Sequence, residues 1–150
     1  MFALGQAKGA AASATLDTSS LDRLRVLNGS NAQFFNLSLS NGNPITQIGS
    51  DQGLLPGPVS AKSISHGPGE RADLLVDFRN HGGEELVLNA NQLQEAMQFR
   101  VARGAPQGAA ALPAKLRLIS RIVESEAART RLLTLNEYKS PKGESMRVRT

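Results

Sequence analysis

Glu70, Arg71 and Asp73 follow directly on Pro68-Gly69, and two carboxylates beside a guanidinium are a familiar acid–base set. One carboxyl could give a proton and the other accept it while the arginine stabilises developing charge. The same residues after a Pro-Gly turn can instead pair with opposite charges and lock the entrance of a strand. That structural role is the expectation here. Asp51, after Gly49-Ser50, is a further carboxylate. Aspartate in a turn commonly accepts backbone N–H groups, so Asp51 is expected to cap its own turn. His66 and His81 each stand in or beside a Gly-containing turn and lack companion ligands. They are expected to be exposed loop histidines rather than metal ligands. Ser50-Asp51 and Ser65-His66 supply the residue types of a hydrolase, but no Gly-X-Ser-X-Gly elbow accompanies them. The strands also lack the α/β pattern that elbow requires. The formal sequons at Asn28 and Asn36 carry no inference, because such triplets are common by chance.

Composition limits the chemistry further. The chain has 150 residues, the length of one domain rather than two. With 40% hydrophobic and 20% charged residues it can build a core, and it is neither collagen-like nor coiled coil. It contains no Cys, which removes disulfides, thiolate zinc, iron–sulfur clusters, Cys nucleophiles and a blue-copper centre from this chain. Aromatics are scarce at 4%, so base-stacking platforms for single strands are poorly provided. No apolar run reaches the ~18 residues of a membrane span. Met1 to Thr18 lacks the apolar core of a signal peptide and, with Ser19 and Ser20, reads as a flexible lead-in of small residues.

Charge is uneven. Residues 1–99 hold 6 Lys/Arg against 9 Asp/Glu, whereas residues 100–150 hold 11 against 4. A basic segment can bind nucleic acid. Here the basic residues are scattered among Ala, Leu and Glu, so a solvated connector is the expectation and a nucleic-acid partner is not.

The elements that must position these residues read as strands. Phe35, Leu37 and Leu39 alternate with polar residues, as do Ala72, Leu74, Val76 and Phe78, and Met97, Phe99 and Val101. Period-two alternation puts one set on a core face. Shorter apolar runs at Leu24–Leu27, Ile45–Ile48 and Leu86–Leu88 add further strands. Asn41-Gly42-Asn43-Pro44 predicts a hairpin, and Pro56-Gly57-Pro58, Gly67-Pro68-Gly69 and Asn80-His81-Gly82-Gly83 predict turns. Residues 104–130 read as a linker, with Leu116, Ile119, Ile122 and Val123 at the spacing of a short helix. Arg131 to Asn136 predicts a strand and Tyr138 to Glu144 a turn. The pattern predicts an all-β antiparallel sandwich or barrel.

Five segments then resemble one family. Arg23 to Ala32, Phe35 to Ser40, Gln47 to Pro56 and, most clearly, Pro68-Gly69-Glu70-Arg71-Ala72-Asp73-Leu74-Leu75-Val76-Asp77-Phe78 resemble the middle domain of multicopper oxidases of the spore-coat laccase and bilirubin oxidase branch. Met97 to Val101 resembles the last strand of that domain, and Arg131 to Glu137 the strand that opens the third. The resemblance implies a cupredoxin-like Greek-key sandwich over 21–103, an interdomain linker over 104–130 and the start of a following cupredoxin domain over 131–150. It implies that Asn28, Asn31, Asp51, Gly53, Pro68, Gly69, Glu70, Arg71, Asp73 and Asp77 are a structural signature with no catalytic or metal-binding member. Copper in the family is bound by the first and third domains, through His-X-His and His-Cys-His motifs that do not occur here. No copper ligand is therefore carried over, and no cofactor is expected in this chain.

Two departures carry expectations. The family's additional upstream strands have no counterpart in Met1 to Ser20, so the sandwich is expected to be incomplete, with an open edge. Gln52 stands where the family often has Gly, which fits only if that position does not need φ > 0. Gly53 to Pro58 reads as an apolar loop, and Leu54, Leu55 and Pro56 are the candidate contact with a neighbouring domain or substrate cleft.

The expected function is that of a copper-free central domain, a fragment of a laccase-like oxidase whose whole enzyme oxidises phenolic or metal substrates and reduces O₂ to water. Its partners would be the neighbouring cupredoxin domains, and alone it would be inactive. A copper-free scaffold or protein-binding module, as a cell-division relative of these oxidases is, forms the alternative. A basic nucleic-acid module ranks last. Family members are often exported, to the periplasm, the cell exterior or the spore coat, and the sequence leaves the compartment open.

Overall fold

The computed structural model describes residues 2–4, 12–16, 21–91, 95–104, 111–139 and 145–149. Ten strands build two sheets. They are β1 (Phe2–Leu4), β2 (Ala12–Leu16), β3 (Leu21–Asn28), β4 (Phe35–Leu39), β5 (Ile45–Ser50), β6 (Gly53–Ala61), β7 (Ile64–His66), β8 (Arg71–Asp77), β9 (Glu85–Asn89) and β10 (Glu95–Val101). One sheet runs β1-β3-β8-β5-β6 and the other β2-β10-β9-β4-β7. Pairing is antiparallel except at β1 on β3 and β2 on β10, which are parallel.

The alternation seen in the sequence becomes the core. Val26, Leu74 and Val76 from one sheet meet Leu37, Leu88 and Phe99 from the other, all essentially without solvent contact. Phe78 and Phe99 close one region of it, with ring centroids 5.1 Å apart and planes tilted by 58°. Tilted aromatic pairs at this separation add specific geometry to area burial.

Several expectations are corrected. Residues 2–4 and 12–16 are strands, where a flexible lead-in was expected, and each supplies an edge to one sheet. Main-chain pairing to β3 and β10 carries them, which runs of three and five residues do not advertise. Asn41-Gly42 does not make a hairpin, because β4 and β5 belong to different sheets. The turn closes through Gly42 N–H to Leu39 O at 3.0 Å, with Gly42 at φ 72°, and leads the chain across the core between buried Leu39 and Ile45.

Pro56-Gly57-Pro58 is not a turn but lies within β6. β6 is an edge strand, where a missing N–H is tolerated. The short helix expected around Leu116 to Val123 is absent among the described residues, which hold one 3₁₀ turn at Glu124–Glu126. Leu118, Ile119, Ile122 and Val123 are all more than half exposed. A short helix with no surface on which to bury its apolar face is not stable.

The chain divides into two units, residues 1–119 and 120–150, and the division falls inside the expected linker. The second unit contains the hairpin of β11 (Leu135–Lys139) and β12 (Ser145–Arg149), so the strand expected over Arg131–Asn136 begins later. Of the expected turn over Tyr138–Glu144, Tyr138 and Lys139 are strand, and residues 140–144 lie outside the described residues.

Candidate functional site

Asn28, Asp51, Gly53, Pro68, Gly69, Glu70, Arg71 and Asp73 gather around the place where β3 ends and β8 begins, whereas Asp77 lies at the far end of β8, opposite Leu21. Gly67 to Glu70 is a tight turn closed by Glu70 N–H to Gly67 O at 3.1 Å. Pro68 presets its first central position, and Gly69, at φ 78°, occupies the second, as a type II turn demands. The end of β3 clamps this turn, since Asn28 N–H donates to Glu70 O at 3.0 Å and Gly69 N–H to Asn28 O at 2.8 Å.

Asn28 is fully buried, and its side chain is saturated. Its Nδ2 donates to Gln33 O at 2.8 Å and to His66 O at 2.9 Å, while Oδ1 accepts from Ser30 N–H at 3.0 Å and Ser30 Oγ at 2.7 Å. A buried amide with all its bonds made specifies one arrangement of the backbone around it. The Asn28 sequon nitrogen is therefore enclosed. Asn31, in the loop that follows, is exposed.

Glu70 does not face another carboxylate. Its Oε2 accepts Gly67 N–H at 2.6 Å and stands 3.9 Å from His66 Nδ1. His66 is 2% exposed, which overturns the expectation of a loop histidine. It faces inward from β7 on the same side as buried Ile64, with exposed Ser65 between them. Burial holds its pKa below the ordinary value, against the opposing pull of Glu70 and Asp51. Its Nε2 has no hydrogen-bond partner among the described residues. His81 is half-buried, with Nδ1 2.8 Å from Glu84 Oε2 and Nε2 3.0 Å from Asn43 Nδ2.

The acid–base reading of Glu70, Arg71 and Asp73 does not survive this geometry. Arg71 uses its N–H and Nε to hold Asp51 Oδ1, at 2.9 and 3.1 Å. The guanidinium keeps the Asp51 carboxyl below the usual carboxylate range. Asp73 bridges two arginines of β3, with Arg23 Nη2 at 2.6 Å and Arg25 Nε at 3.3 Å. Gly49 makes room for this bridge, because a Cβ there would stand 3.0 Å from Asp73 Cβ and from its Oδ2. Asp77 is held in a fork by Arg79, Oδ1 to Nε at 2.8 Å and Oδ2 to Nη2 at 2.5 Å, and this pairing lowers its pKa. Each carboxylate is thus committed to a cation or to backbone.

The turn after Asp51 answers the question of Gln52. Gln52 does not adopt positive φ, and Gly53, at φ 105°, takes that role at the start of β6. Leu54, Leu55 and Pro56 lie in β6 rather than in a loop. Residues beyond the sandwich reach this strand, a feature the sequence reading missed. Leu116 N–H donates to Pro56 O at 2.9 Å and Arg117 Nη1 to Gln52 O at 3.1 Å. Gly57 between two prolines was the available signal.

Among the described residues no three His, Asp or Glu side chains come together as metal ligands. A blue-copper centre does not fit the donors present, since the sequence has no thiolate and its two histidines are engaged separately with Glu70 and Glu84. No helix among the described residues is long and apolar enough to cross a membrane.

Two five-stranded sheets packed face to face over a shared apolar core define a cupredoxin-like β-sandwich. No family model matches the chain. It is 43% identical over 91 residues to a laccase of Bacillus subtilis, covering 54% of this chain and 18% of that protein. It is 36% identical over 129 residues to multicopper oxidase LPR1 homolog 1 of Oryza sativa, covering 77% of this chain and 22% of that protein. It is also 44% identical over 70 residues to the cell division protein FtsP of Escherichia coli, covering 47% of this chain and 14% of that protein. The crystal structure of the McoA multicopper oxidase of Aquifex aeolicus superposes with a TM-score of 0.70 at 28% identity, covering 84% of this chain and 30% of that one. A multicopper oxidase of Pediococcus acidilactici gives 0.68 at 33% identity, covering 76% and 24%. The chain belongs to the multicopper oxidase family as a cupredoxin-like domain, and it spans about a fifth of the laccase and the rice oxidase it matches.

Proposed function

We propose that this chain is the copper-free central domain of a laccase-like multicopper oxidase, a rigid spacer that holds copper-bearing cupredoxin domains in register. The observation that carries the reading is the use to which the signature residues are put. Asn28, Asp51, Glu70, Arg71, Asp73 and Asp77 each bond to a neighbouring strand or turn of their own domain. Side chains spent in this way stiffen a sandwich and are not free to move a proton or hold a metal. In the parent enzyme the coppers of other domains would oxidise phenolic or metal substrates and reduce O₂. Leu54, Leu55 and Pro56 remain the proposed contact with a neighbouring domain or cleft.

The test is metal analysis of the chain after dialysis against copper, paired with a phenol-oxidation assay. The expected result is no retained stoichiometric copper and no oxidation. Stoichiometric copper with activity would overturn the reading and make His66 and His81 ligands.

A second reading, a copper-free scaffold that binds another protein, is favoured by the likeness to the FtsP cell division proteins. Retention of a specific partner other than a cupredoxin domain would support it.

A further inference from the structure

Asn28-Gly29 and Asn41-Gly42 are the two Asn-Gly pairs of the sequence. This dipeptide is prone to a spontaneous reaction, because glycine has no side chain to shield its main-chain nitrogen. That nitrogen, having lost its proton, attacks the asparagine Cγ. The new N–C bond closes a succinimide ring, and the Cγ–Nδ2 bond breaks to release ammonia. Water then opens the ring at either carbonyl. One opening gives aspartate, and the other gives isoaspartate, whose main chain runs through the former side chain. No electrons are exchanged, and water is the sole co-reactant.

The fold treats the two pairs oppositely. Asn28 has no solvent contact. Its Nδ2 is held by Gln33 O and His66 O, and its Oδ1 by Ser30 N–H and Ser30 Oγ. Its main-chain N–H and C=O are bound to Glu70 O and Gly69 N–H. Swinging Asn28 Cγ onto Gly29 N breaks the side-chain bonds together and opens the corner between β3 and β7. Asn41 and Gly42 are both exposed, on the crossing from β4 in one sheet to β5 in the other. Asn41 Oδ1 accepts Asn43 N–H at 3.0 Å, and Gly42 N–H is bound to Leu39 O at 3.0 Å. A Cβ on Gly42 would meet nothing within 4 Å, so no neighbour crowds the space a ring would take. Surface segments with few bonds open at little cost in free energy, whereas core elements open at a cost near that of global unfolding.

We infer that Asn41 is a site of spontaneous deamidation in the folded protein, and that burial protects Asn28 in the same dipeptide. The two products act differently on the turn. Aspartate keeps an oxygen for Asn43 N–H and adds a negative charge at an exposed position. Isoaspartate lengthens the main chain by a methylene between Leu39 and Ile45, both buried. The crossing between the sheets is then too long for its anchors.

The experiment ages the full chain in mildly alkaline buffer, folded and in urea, and digests it with trypsin. Residues 26–62 form one tryptic peptide, since Arg25 precedes it, Lys62 ends it and no Lys or Arg lies between. Fragment ions of that peptide therefore read both pairs against each other. In the folded chain Asn41 should convert at least about tenfold faster than Asn28, and in urea the two rates should be equal. Isoaspartate is counted with a carboxyl methyltransferase and a labelled methyl donor. It should fall to background in folded Asn41→Ser aged in parallel, whose hydroxyl can still accept from Asn43 N–H. Fresh Asn41→Asp should unfold at the wild-type urea midpoint, and the aged wild type at a lower one. Equal rates in the folded chain, conversion of Asn41 in urea alone, no conversion in either state, or undiminished isoaspartate in Asn41→Ser would each overturn the assignment. A fresh Asn41→Asp that unfolds as early as the aged chain, or an aged chain that unfolds no earlier than the fresh one, would overturn the distinction between the products.

Discussion

Asn28 and His66 stand 38 positions apart in the chain and are joined by a 2.9 Å hydrogen bond from Asn28 Nδ2 to the His66 main-chain oxygen. The bond ties the end of β3, in one sheet, to β7, the edge of the other. It stabilises the corner where Asn28, His66, Gly69 and Glu70 meet, and the strength of that corner can be measured.

Asn28→Ala leaves the His66 carbonyl without its side-chain donor, whereas Gln33 O keeps the Ser30 hydroxyl at 2.8 Å. An unsatisfied buried group of this kind costs about 1–3 kcal/mol, and a loss of that size is expected from urea unfolding. Asn28→Asp should lose at least as much, because an acceptor would then face two acceptors. Asn31→Ala, three residues along and exposed, should leave the midpoint almost unchanged.

The buried His66 makes stability depend on pH. Burial lowers its folded pKa below the unfolded value of about 6.5. The neutral ring is therefore favoured in the folded state, and the unfolded chain binds more protons on acidification. The contribution is fully present above about pH 6.5 and is lost as pH falls from there toward the folded value. Thermal unfolding between pH 8 and 5 should show this decline, and His66→Leu should flatten it. The Asp51 carboxyl, lowered by Arg71, acts in a more acidic window. Its contribution is present above its unfolded pKa and is lost only as pH falls through the folded one.

Gly49 lies under the bridge from Asp73 to Arg23 and Arg25. Gly49→Ala places a methyl 3.0 Å from Asp73 and from Gly53 O. Overpacking at such a site costs about 1–3 kcal/mol. Chemical denaturation should show a lower midpoint at unchanged slope. Gly42→Ala, where a Cβ meets nothing within 4 Å, would suffer only from its φ of 72°.

Proteolysis should map the strap that Leu116 and Arg117 tie to Pro56 O and Gln52 O. Arg121, Arg129 and Arg131 are exposed outside regular strands, whereas Arg117 is held on Gln52 O beside the Leu116 bond. Brief trypsin treatment, read by mass spectrometry, should cut after Arg121, Arg129 and Arg131 well before Arg117. Equal rates at all four would show that the strap does not hold in solution.

The strands were legible where burial alone dictates them. In β4, β8, β9 and β10 every second side chain faces the core, so period-two alternation survives in the residue types. The type II turn at Pro68-Gly69 was equally visible, because only certain residues fit its dihedrals. β6 escaped notice because its side chains are largely exposed and its order comes from main-chain pairing. β1 and β2 rest on parallel main-chain pairing to distant strands and leave the same thin trace.

At the site, residue types disclosed the carboxylates and arginines but not their partners. Arg71 finds Asp51 and Asp73 finds Arg23 and Arg25 only when separate strands are laid side by side. His66 turned from a presumed loop residue into a buried one for the same reason, since β7 exists only through its pairing with β4. Local steric rules and the hydrophobic period act along the chain, and a single sequence carries them. Ion pairing, strand register and the closure of an edge act between segments far apart in the chain, and only the folded arrangement decides them.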